Sequence, residues 1–191
     1  SITNQSINFI PPINHNSKRI RLLFIGGIDY TRGVDKIIET MIKLNQIGYQ
    51  LELSLIGKIG SYFENFLKNV NLDNINIIPK MERGELFELV KNYDIFVYPT
   101  KNEGSPRIIL ELASIGIPII ASKHPGIIQI DKESKFINFL SNDKTIEYYL
   151  KEYLLNKVSF HKKATFGKNY VRNQYNEKIV SIEYEKLYLS L

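Results

Sequence analysis

Short apolar segments alternate with amphipathic segments along most of this 191-residue chain, and this alternation limits the fold more than any other feature. Most residues in the apolar segments are apolar, which is typical of strands buried on both faces. The segments between them carry apolar residues every three or four positions, which is the helical period. A strand–helix–strand order predicts a parallel sheet covered by helices, and right-handed crossovers make it doubly wound. We therefore predict an α/β Rossmann-like fold of about six strands, with helices on both faces and a helical C-terminal tail.

The same pattern gives the expected elements and boundaries. The predicted strands are 19–25, 51–56, 75–78, 94–98, 117–121 and 136–140. The predicted helices are 34–47, 62–70, 85–92, 106–115, 145–156, 161–174 and 177–189. Residues 1–18 are polar, with two adjacent prolines, and predict a lead-in or interdomain linker. Residues 19–191 form the predicted domain, which is large enough for a full hydrophobic core.

Composition excludes several classes of site. The chain has no cysteine, which rules out disulfides and cysteine-ligated zinc. A net charge of +5 fits a lysine-rich surface, an anionic substrate or an anionic membrane surface. Nucleic acid is not an expected partner, because no helix-turn-helix, RNP motif or arginine-rich arm is present. Lys162, Lys163 and Lys168 in the tail suggest either a solvated helix face or docking of the tail on a partner or on the membrane surface.

The loop after the first predicted strand is a candidate anion site. Gly26 and Gly27 let the backbone approach a ligand closely. Arg32 lies just before a predicted helix N-terminus, where an anion is favoured. Ligands of open α/β sheets bind beyond the carboxyl ends of the strands, where this loop lies. The alternative interpretation is a tight turn with an exposed arginine, and the loop lacks the dinucleotide fingerprint G-x-G-x-x-G.

A second candidate site follows the strand at 94–98. Ser105 is a good N-cap and Pro106 a good first helical residue, so a helix is expected to start at 105–106. The free N–H groups near Arg107 and Ile108 would then point into the crevice and could hold phosphate.

Two glutamates flank this predicted phosphate site. Glu103 lies on the loop and Glu111 inside the helix. A carboxylate accepts hydrogen bonds from neighbouring hydroxyls, which a ribose or hexose carrying a diphosphate supplies. The alternative interpretation is that neither glutamate binds a ligand, with Glu103 a charge on a loop and Glu111 an exposed residue of the helix.

The sequence around both candidate sites resembles the motifs of a known family. Residues 103–122 resemble the E-x7-E segment of family 4 glycosyltransferases, which usually reads like EGxPxxxLEAMAxGxPVVAS. The same family's other segments resemble 23–33 ("VGRLxxxKG"), 53–60 ("LxIVGxG"), 74–81 and 86–99 ("NVxFxGxV…YxxADVFVxPS"). The resemblance covers roughly residues 7–140 and is specific only in combination.

The resemblance implies a B-type glycosyltransferase fold, in which two Rossmann-like domains face a cleft. This chain resembles the C-terminal, donor-binding half, and the resemblance implies that the N-terminal acceptor domain is missing. The implied reaction is retaining transfer of a hexosyl unit from a UDP-, GDP- or ADP-sugar to an acceptor hydroxyl, in cell-surface polysaccharide or glycolipid synthesis. The chain alone is then expected to be inactive or weakly active. A cytoplasmic location fits, including one peripheral to the inner membrane face. No D-x-D pair is present, so no metal or other cofactor is expected.

Site residues are carried over by position. The resemblance implies that Glu111 holds the ribose hydroxyls, that Glu103 lies near the donor sugar and that Arg32 neutralises the diphosphate. Glu103 and Arg32 are the implied catalytic residues. The other implied donor-binding residues are Gly26, Gly27, Gly104, Ser105, Pro106, Arg107, Ile108, Lys80 and Met81, the last two beside the base.

The sequence departs from the family pattern at three positions. Gly27 stands where arginine is usual, Pro79 where glycine is usual and Gln129 where glutamate is frequent. Lys58 or Lys101 could replace the missing arginine. Gly27 favours the alternative of a non-catalytic nucleotide-sugar-binding or scaffold module. A sugar-nucleotide epimerase or a phosphorylase is a further alternative, which the E-x7-E helix disfavours.

Overall fold

A parallel sheet forms the centre of the molecule. A computed structural model describes residues 19–102 and 106–175. Its strands are Arg19–Ile25 (β1), Gln50–Ile56 (β2), Ile75–Ile78 (β3), Ile95–Tyr98 (β4), Ile119–Ser122 (β5) and Ile137–Leu140 (β6). They pair in parallel in the order β3-β2-β1-β4-β5-β6. This is the doubly wound Rossmann order, so the predicted fold class is confirmed.

The strands form where the apolar runs predict them, because both of their faces are covered. Leu22, Leu23 and Phe24 of β1 are fully buried, and all four residues of β4 are buried. β1 pairs with β2 along its whole length, from Arg19 opposite Gln50 onward. Burial on both faces therefore fixes the register of the central strands.

Seven helices lie in the described part of the chain. They are Val34–Gln46 (α1), Glu64–Lys68 (α2), Arg83–Val90 (α3), Arg107–Ile115 (α4), Pro125–Ile128 (α5), Ile146–Leu155 (α6) and Lys157–Gln174 (α7). A 3-10 turn, Tyr30–Arg32, precedes α1. α1 packs against α6, and α4 packs against α7. α4 ends at Gly116, whose left-handed backbone (φ +91) lets its N–H bond to Leu112 and Ala113.

Several helix predictions differ from the structure. α2 is shorter than the predicted 62–70, and α3 begins and ends two residues before the predicted 85–92. α7 begins at Lys157 rather than at 161, because the Asn156 side chain accepts a hydrogen bond from Ser159 N and caps an earlier start. α4 begins at Arg107, one residue later than predicted, because Pro106 has an extended backbone. α5 was not predicted, since four residues are too few to show a period. The predicted linker 1–18 and helix 177–189 lie outside the described residues.

The turns that follow β1 and β2 touch each other. Gly57 has φ +151, and a Cβ atom there would lie 1.9 Å from the carbonyl oxygen of Gly26. Gly57 N donates to the carbonyl oxygen of Ile78, at the end of β3 (3.0 Å). A further parallel bridge joins Ile28 to Ile59. The absence of a side chain at Gly57 therefore sets how closely the carboxyl ends of these strands approach.

Two carboxylates hold neighbouring parts of the fold together, one at a turn and one between two helices. Asp131 is buried and accepts three backbone N–H groups, from Lys135, Phe136 and Ile137, at 2.7–2.9 Å. It thereby closes the turn into β6.

Glu147 joins α6 to α1. Lys151 of α6 and Lys43 of α1 donate to its two carboxylate oxygens at 2.7 and 2.6 Å. These hydrogen bonds, from Lys151 first and then Lys43, lower the pKa of Glu147 from 4.5 to about 2.

The basic side chains of α7 do not form the predicted surface group. Lys163 is half-buried, and its Nζ donates to Asn138 Oδ1 at 3.0 Å. Lys168 is buried, and burial lowers the pKa of both lysines. Only Lys162 of the three is exposed. The interpretation of all three as one solvated or membrane-facing patch was therefore wrong, because α7 turns two of them towards the domain. In the part of the chain that is described, no helix is both long and apolar enough to cross a bilayer.

Candidate functional site

The strand order reverses direction between β1 and β4, and both loops with unusual residues begin there. The loop after β1 contains Gly26, Gly27 and Arg32, and the loop after β4 begins at Pro99. Open α/β sheets bind ligands at this switch point, beyond the carboxyl ends of the strands. The structure thus brings together the two segments that the sequence singled out, although they are far apart along the chain.

Arg32 is the cation that bridges these two loops. Its Nη1 donates to Tyr98 Oη (3.3 Å), Thr100 Oγ1 (3.4 Å) and the carbonyl oxygen of Asn102 (3.1 Å). Its backbone N–H donates to the carboxylate of Asp29 (3.0 Å), which caps the 3-10 turn. A guanidinium stays charged at any physiological pH. Arg32 therefore places a permanent positive charge at the switch point, held at both its backbone and its side chain.

Close backbone contacts hold the two loops together. Gly33 has φ +70, and a Cβ atom there would lie 2.4 Å from the carbonyl oxygen of Pro99. Lys101 N donates to the carbonyl oxygen of Thr31 at 2.9 Å. The Ser122 hydroxyl, at the end of β5, donates to the carbonyl oxygen of Thr100. The site is thus built on three neighbouring strand ends, β1, β4 and β5.

Glycines 26 and 27 line the turn beside Arg32. Gly26 has φ +148, which favours glycine. A Cβ atom at Gly27 would lie 3.1 Å from Asp29 Oδ2. A side chain at position 27 would therefore need a small shift of the carboxylate that caps the 3-10 turn.

The N-terminus of α4 opens towards the loop after β4. Pro106 is buried and flanks the helix, and its carbonyl oxygen accepts from Ile109 N (3.0 Å). Arg107, which is exposed, and Ile108, which is half-buried, lie in the first turn, where N–H groups have no acceptor within the helix. The predicted site residues Glu103, Gly104 and Ser105 lie outside the described residues, and their roles stay predictions.

Glu111 lies on α4 and forms an ion pair with the start of α3. Its Oε1 accepts from Nη2 of Arg83, the first residue of α3. Lys80, exposed, and Met81, half-buried, lie on the same β3–α3 loop as Arg83. The structure therefore connects the predicted ribose residue with the loop predicted to lie beside the base.

Sequence reasoning missed the residues that hold the site together. Tyr98 and Thr100 were assigned only to a strand and a loop, and Asp29 and Arg83 were not singled out. The one available signal was position, since each lies within a few residues of a predicted site residue.

Three further observations concern the chemistry of this region. The two lysines suggested as replacements for an arginine at position 27, Lys58 and Lys101, are both exposed. His124 follows β5, and its Nδ1 is buried with no hydrogen-bond partner among the described residues. Within residues 19–102 and 106–175, no three His, Asp or Glu side chains are grouped so as to hold a metal ion.

Comparison with known families identifies the class of protein that this fold and site define. Residues 6–172 match the family described as Glycosyl transferases group 1, and the chain belongs to this family. The resemblance predicted from the sequence is therefore confirmed.

Particular relatives come from surface-polysaccharide systems. The chain is 23% identical over 175 residues to the capsular polysaccharide biosynthesis glycosyltransferase CapM of Staphylococcus aureus, covering 86% of this chain and 44% of CapM. It is 24% identical over 195 residues to the O-antigen biosynthesis glycosyltransferase WclY of Escherichia coli, covering 100% of this chain and 52% of WclY. The chain thus spans about half the length of these curated relatives.

Solved structures share the fold. Anabaena HepE, crystallised in complex with UDP, superposes with a TM-score of 0.76 at 12% identity, over 91% of this chain and 50% of HepE. The C-terminal domain of the group 1 glycosyl transferase LpcC of Francisella tularensis superposes with a TM-score of 0.69 at 21% identity, over 82% of this chain and 87% of that domain.

Proposed function

We propose that this chain is the nucleotide-diphospho-sugar-binding domain of a retaining glycosyltransferase. The observation that carries the proposal is Arg32, fixed at the switch point by Tyr98, Thr100 and the carbonyl oxygen of Asn102 in a chain of this family. A diphosphate placed there would meet a preorganised cation and the first-turn N–H groups of α4. Both stabilise a departing diphosphate without rearranging during the reaction.

The proposed reaction transfers a hexosyl unit to an acceptor hydroxyl with retention of configuration. The bond between the anomeric carbon and the diphosphate oxygen breaks, and a bond from that carbon to the acceptor oxygen forms on the same face. The acceptor proton passes to the departing diphosphate. Arg32 takes up the negative charge that develops on the leaving group, and Glu103 lies near the donor sugar.

Several further parts of the proposal come from the relatives. HepE was crystallised with UDP and with UDP-glucose, which makes a uridine nucleotide the first donor to test. CapM and WclY act in capsular polysaccharide and O-antigen biosynthesis, which supports a role in cell-surface polysaccharide synthesis. The relatives' greater length supports a separate acceptor domain, so we expect this chain alone to bind donor and transfer little or no sugar. We propose a cytoplasmic, metal-independent enzyme.

Calorimetric titration of the 191-residue chain with UDP, GDP, ADP and their common sugars, with and without EDTA, tests this function. We expect saturable binding of one nucleotide that EDTA does not change and that Glu111→Ala abolishes. Glu133→Ala is the matched control, because Glu133 is also ion-paired but lies on the turn into the amino end of β6, the edge strand of the sheet. If Glu111→Ala and Glu133→Ala lost nucleotide affinity equally, or if Glu111→Ala bound as tightly as the unaltered chain, the proposed site would be contradicted.

Gly27 favours one second candidate, a module of the same fold that binds nucleotide-sugar or partner protein without catalysis. The full-length protein decides between them. Release of nucleotide diphosphate in the presence of acceptor supports the transferase, whereas donor binding without turnover supports the non-catalytic module.

A further inference from the structure

The ion pair between Arg83 and Glu111 joins two helices that begin on different loops of the site. Arg83 is the first residue of α3, and Glu111 lies in the second turn of α4. The Glu111 side chain is only 15% exposed, whereas that of Arg83 is 48% exposed. A largely buried carboxylate needs a partner, since an unpaired buried charge is strongly unfavourable. Arg83 is the partner that the structure supplies.

The pair leaves one oxygen of the carboxylate available. Arg83 Nη2 contacts Oε1, and no hydrogen bond among the described residues reaches Oε2. A carboxylate has about four lone-pair positions, so Glu111 keeps most of its capacity to accept hydroxyl groups. Because Arg83 holds Oε1 of the planar carboxylate, the direction in which Oε2 points is fixed as well.

Arg83 is itself held in place. Its guanidinium carbon lies 5.7 Å from the ring centroid of Phe87, one helical turn further along α3. Such a contact between a cation and an aromatic face is attractive and restricts the arginine side chain. The orientation of Glu111 is therefore set through α3 as well as through its own helix.

The charge of the pair also matters for an anionic ligand. A lone glutamate at this position would repel a nucleoside diphosphate, but paired with Arg83 it adds no net charge. Glu111 can then accept hydroxyl hydrogen bonds without opposing the approach of the phosphates.

We propose that Arg83 is a positioning residue that orients Glu111 towards the ribose hydroxyls of the nucleotide and offsets its charge. This inference rests on the proposed donor-binding function. It assigns a role to the β3–α3 loop that requires no direct contact between Arg83 and the donor.

The test compares nucleotides with and without the hydroxyls that Glu111 would accept. Calorimetry measures the Kd of UDP, GDP and ADP and of their 2′,3′-dideoxy counterparts, for the unaltered chain and for Arg83→Met. We expect Arg83→Met to raise the Kd of whichever ribonucleotide binds by about 10-fold, which is the loss expected for one charge-assisted hydrogen bond. The Kd of the dideoxy counterpart should change by no more than about 2-fold. Arg83→Lys, which keeps the charge, should recover part of the loss. In a Glu111→Gln background, Arg83→Met should have no further effect.

Arg19→Met is the matched control. Arg19 also pairs with a glutamate, Glu52, but lies at the start of the central strand β1, at the amino ends of the strands and away from the site at their carboxyl ends. Its removal should leave every Kd unchanged. Equal weakening of ribo- and dideoxynucleotide by Arg83→Met would mean that Arg83 acts on the phosphates or on folding, and would overturn the proposal. So would an Arg83→Met variant that binds like Arg19→Met. If the unaltered chain binds none of the three nucleotides, the proposed function itself fails, and this proposal fails with it.

Discussion

Replacing Gly57 with alanine should destabilise the domain far more than the same replacement at Gly48. Both glycines have positive φ angles, +151 at Gly57 and +94 at Gly48. They differ in their surroundings, because a Cβ atom at Gly48 would meet nothing within 4 Å, whereas one at Gly57 would lie 1.9 Å from the carbonyl oxygen of Gly26. Gly57→Ala therefore adds a steric overlap that Gly48→Ala lacks.

The two costs can be worked out separately. At Gly48 only the left-handed backbone disfavours alanine, which costs about 1 kcal/mol. At Gly57 the strain of a glycine-only backbone costs about 1–3 kcal/mol. Overlap with a main-chain atom that cannot rotate away adds about 1–3 kcal/mol. We expect about 4 kcal/mol in total for Gly57→Ala, which is a large part of the stability of an ordinary domain.

Thermal unfolding followed by circular dichroism, together with urea titration, measures both variants. For a domain of this size, 1 kcal/mol corresponds to about 2–4 °C in Tm, so Gly57→Ala should lower Tm by about 8–16 °C and Gly48→Ala by about 2–4 °C. The urea slopes should be equal, so that the midpoints compare stability alone. Equal decreases in Tm for the two variants would refute the close contact between the turns after β1 and β2.

Three further predictions concern other parts of the fold. Asp131→Asn should lower the free energy of unfolding in urea by about 2 kcal/mol, because one amide oxygen replaces a carboxylate that accepts three backbone N–H groups, and an unchanged midpoint would contradict this role. Glu147→Gln should lower Tm at pH 6, with a gap to the unaltered chain that shrinks as the pH falls from about 4.5 to about 2. The reason is that the folded-state pKa of Glu147 lies near 2, below its ordinary 4.5, so the stabilisation exists above 4.5 and is lost on protonation; a gap independent of pH over this range would refute it. Gly84→Ala should raise the free energy of unfolding by about 0.5–1 kcal/mol, and with it the urea midpoint, because Gly84 is helical and a Cβ atom there would meet open space; a lower midpoint would show that the first turn of α3 needs glycine.

Much of the fold could be predicted because its signals are local. β1 and β3 have the predicted bounds, because each is a short, mostly apolar segment that ends at a glycine or proline turn. The helix ends were less predictable because they depend on single caps, such as Asn156 at the start of α7. The four-residue helix α5 has no periodicity to detect.

The site was predictable in position but not in its internal contacts. Arg32 and the start of α4 could be placed at the switch point because both follow strands of the same sheet. The bond from Arg32 to Tyr98 joins residues 66 positions apart, and the pair of Arg83 with Glu111 joins residues 28 positions apart. Such contacts depend on how the crossovers bring the loops together, which one sequence without relatives does not reveal.

The central position of β1 has a consequence for how the chain acquires its structure. β1 pairs with β2 on one side, but its other neighbour is β4, and Arg21 N donates to the carboxylate of Asp94, 73 residues away. Closing so long a loop costs entropy before any contact compensates it, which makes this step slow. During synthesis, the apolar edge of β1 therefore stays unpaired until β4 has emerged from the ribosome. Over that interval the nascent chain exposes an aggregation-prone strand edge, and we expect its folding yield to depend on chaperones that cover such edges.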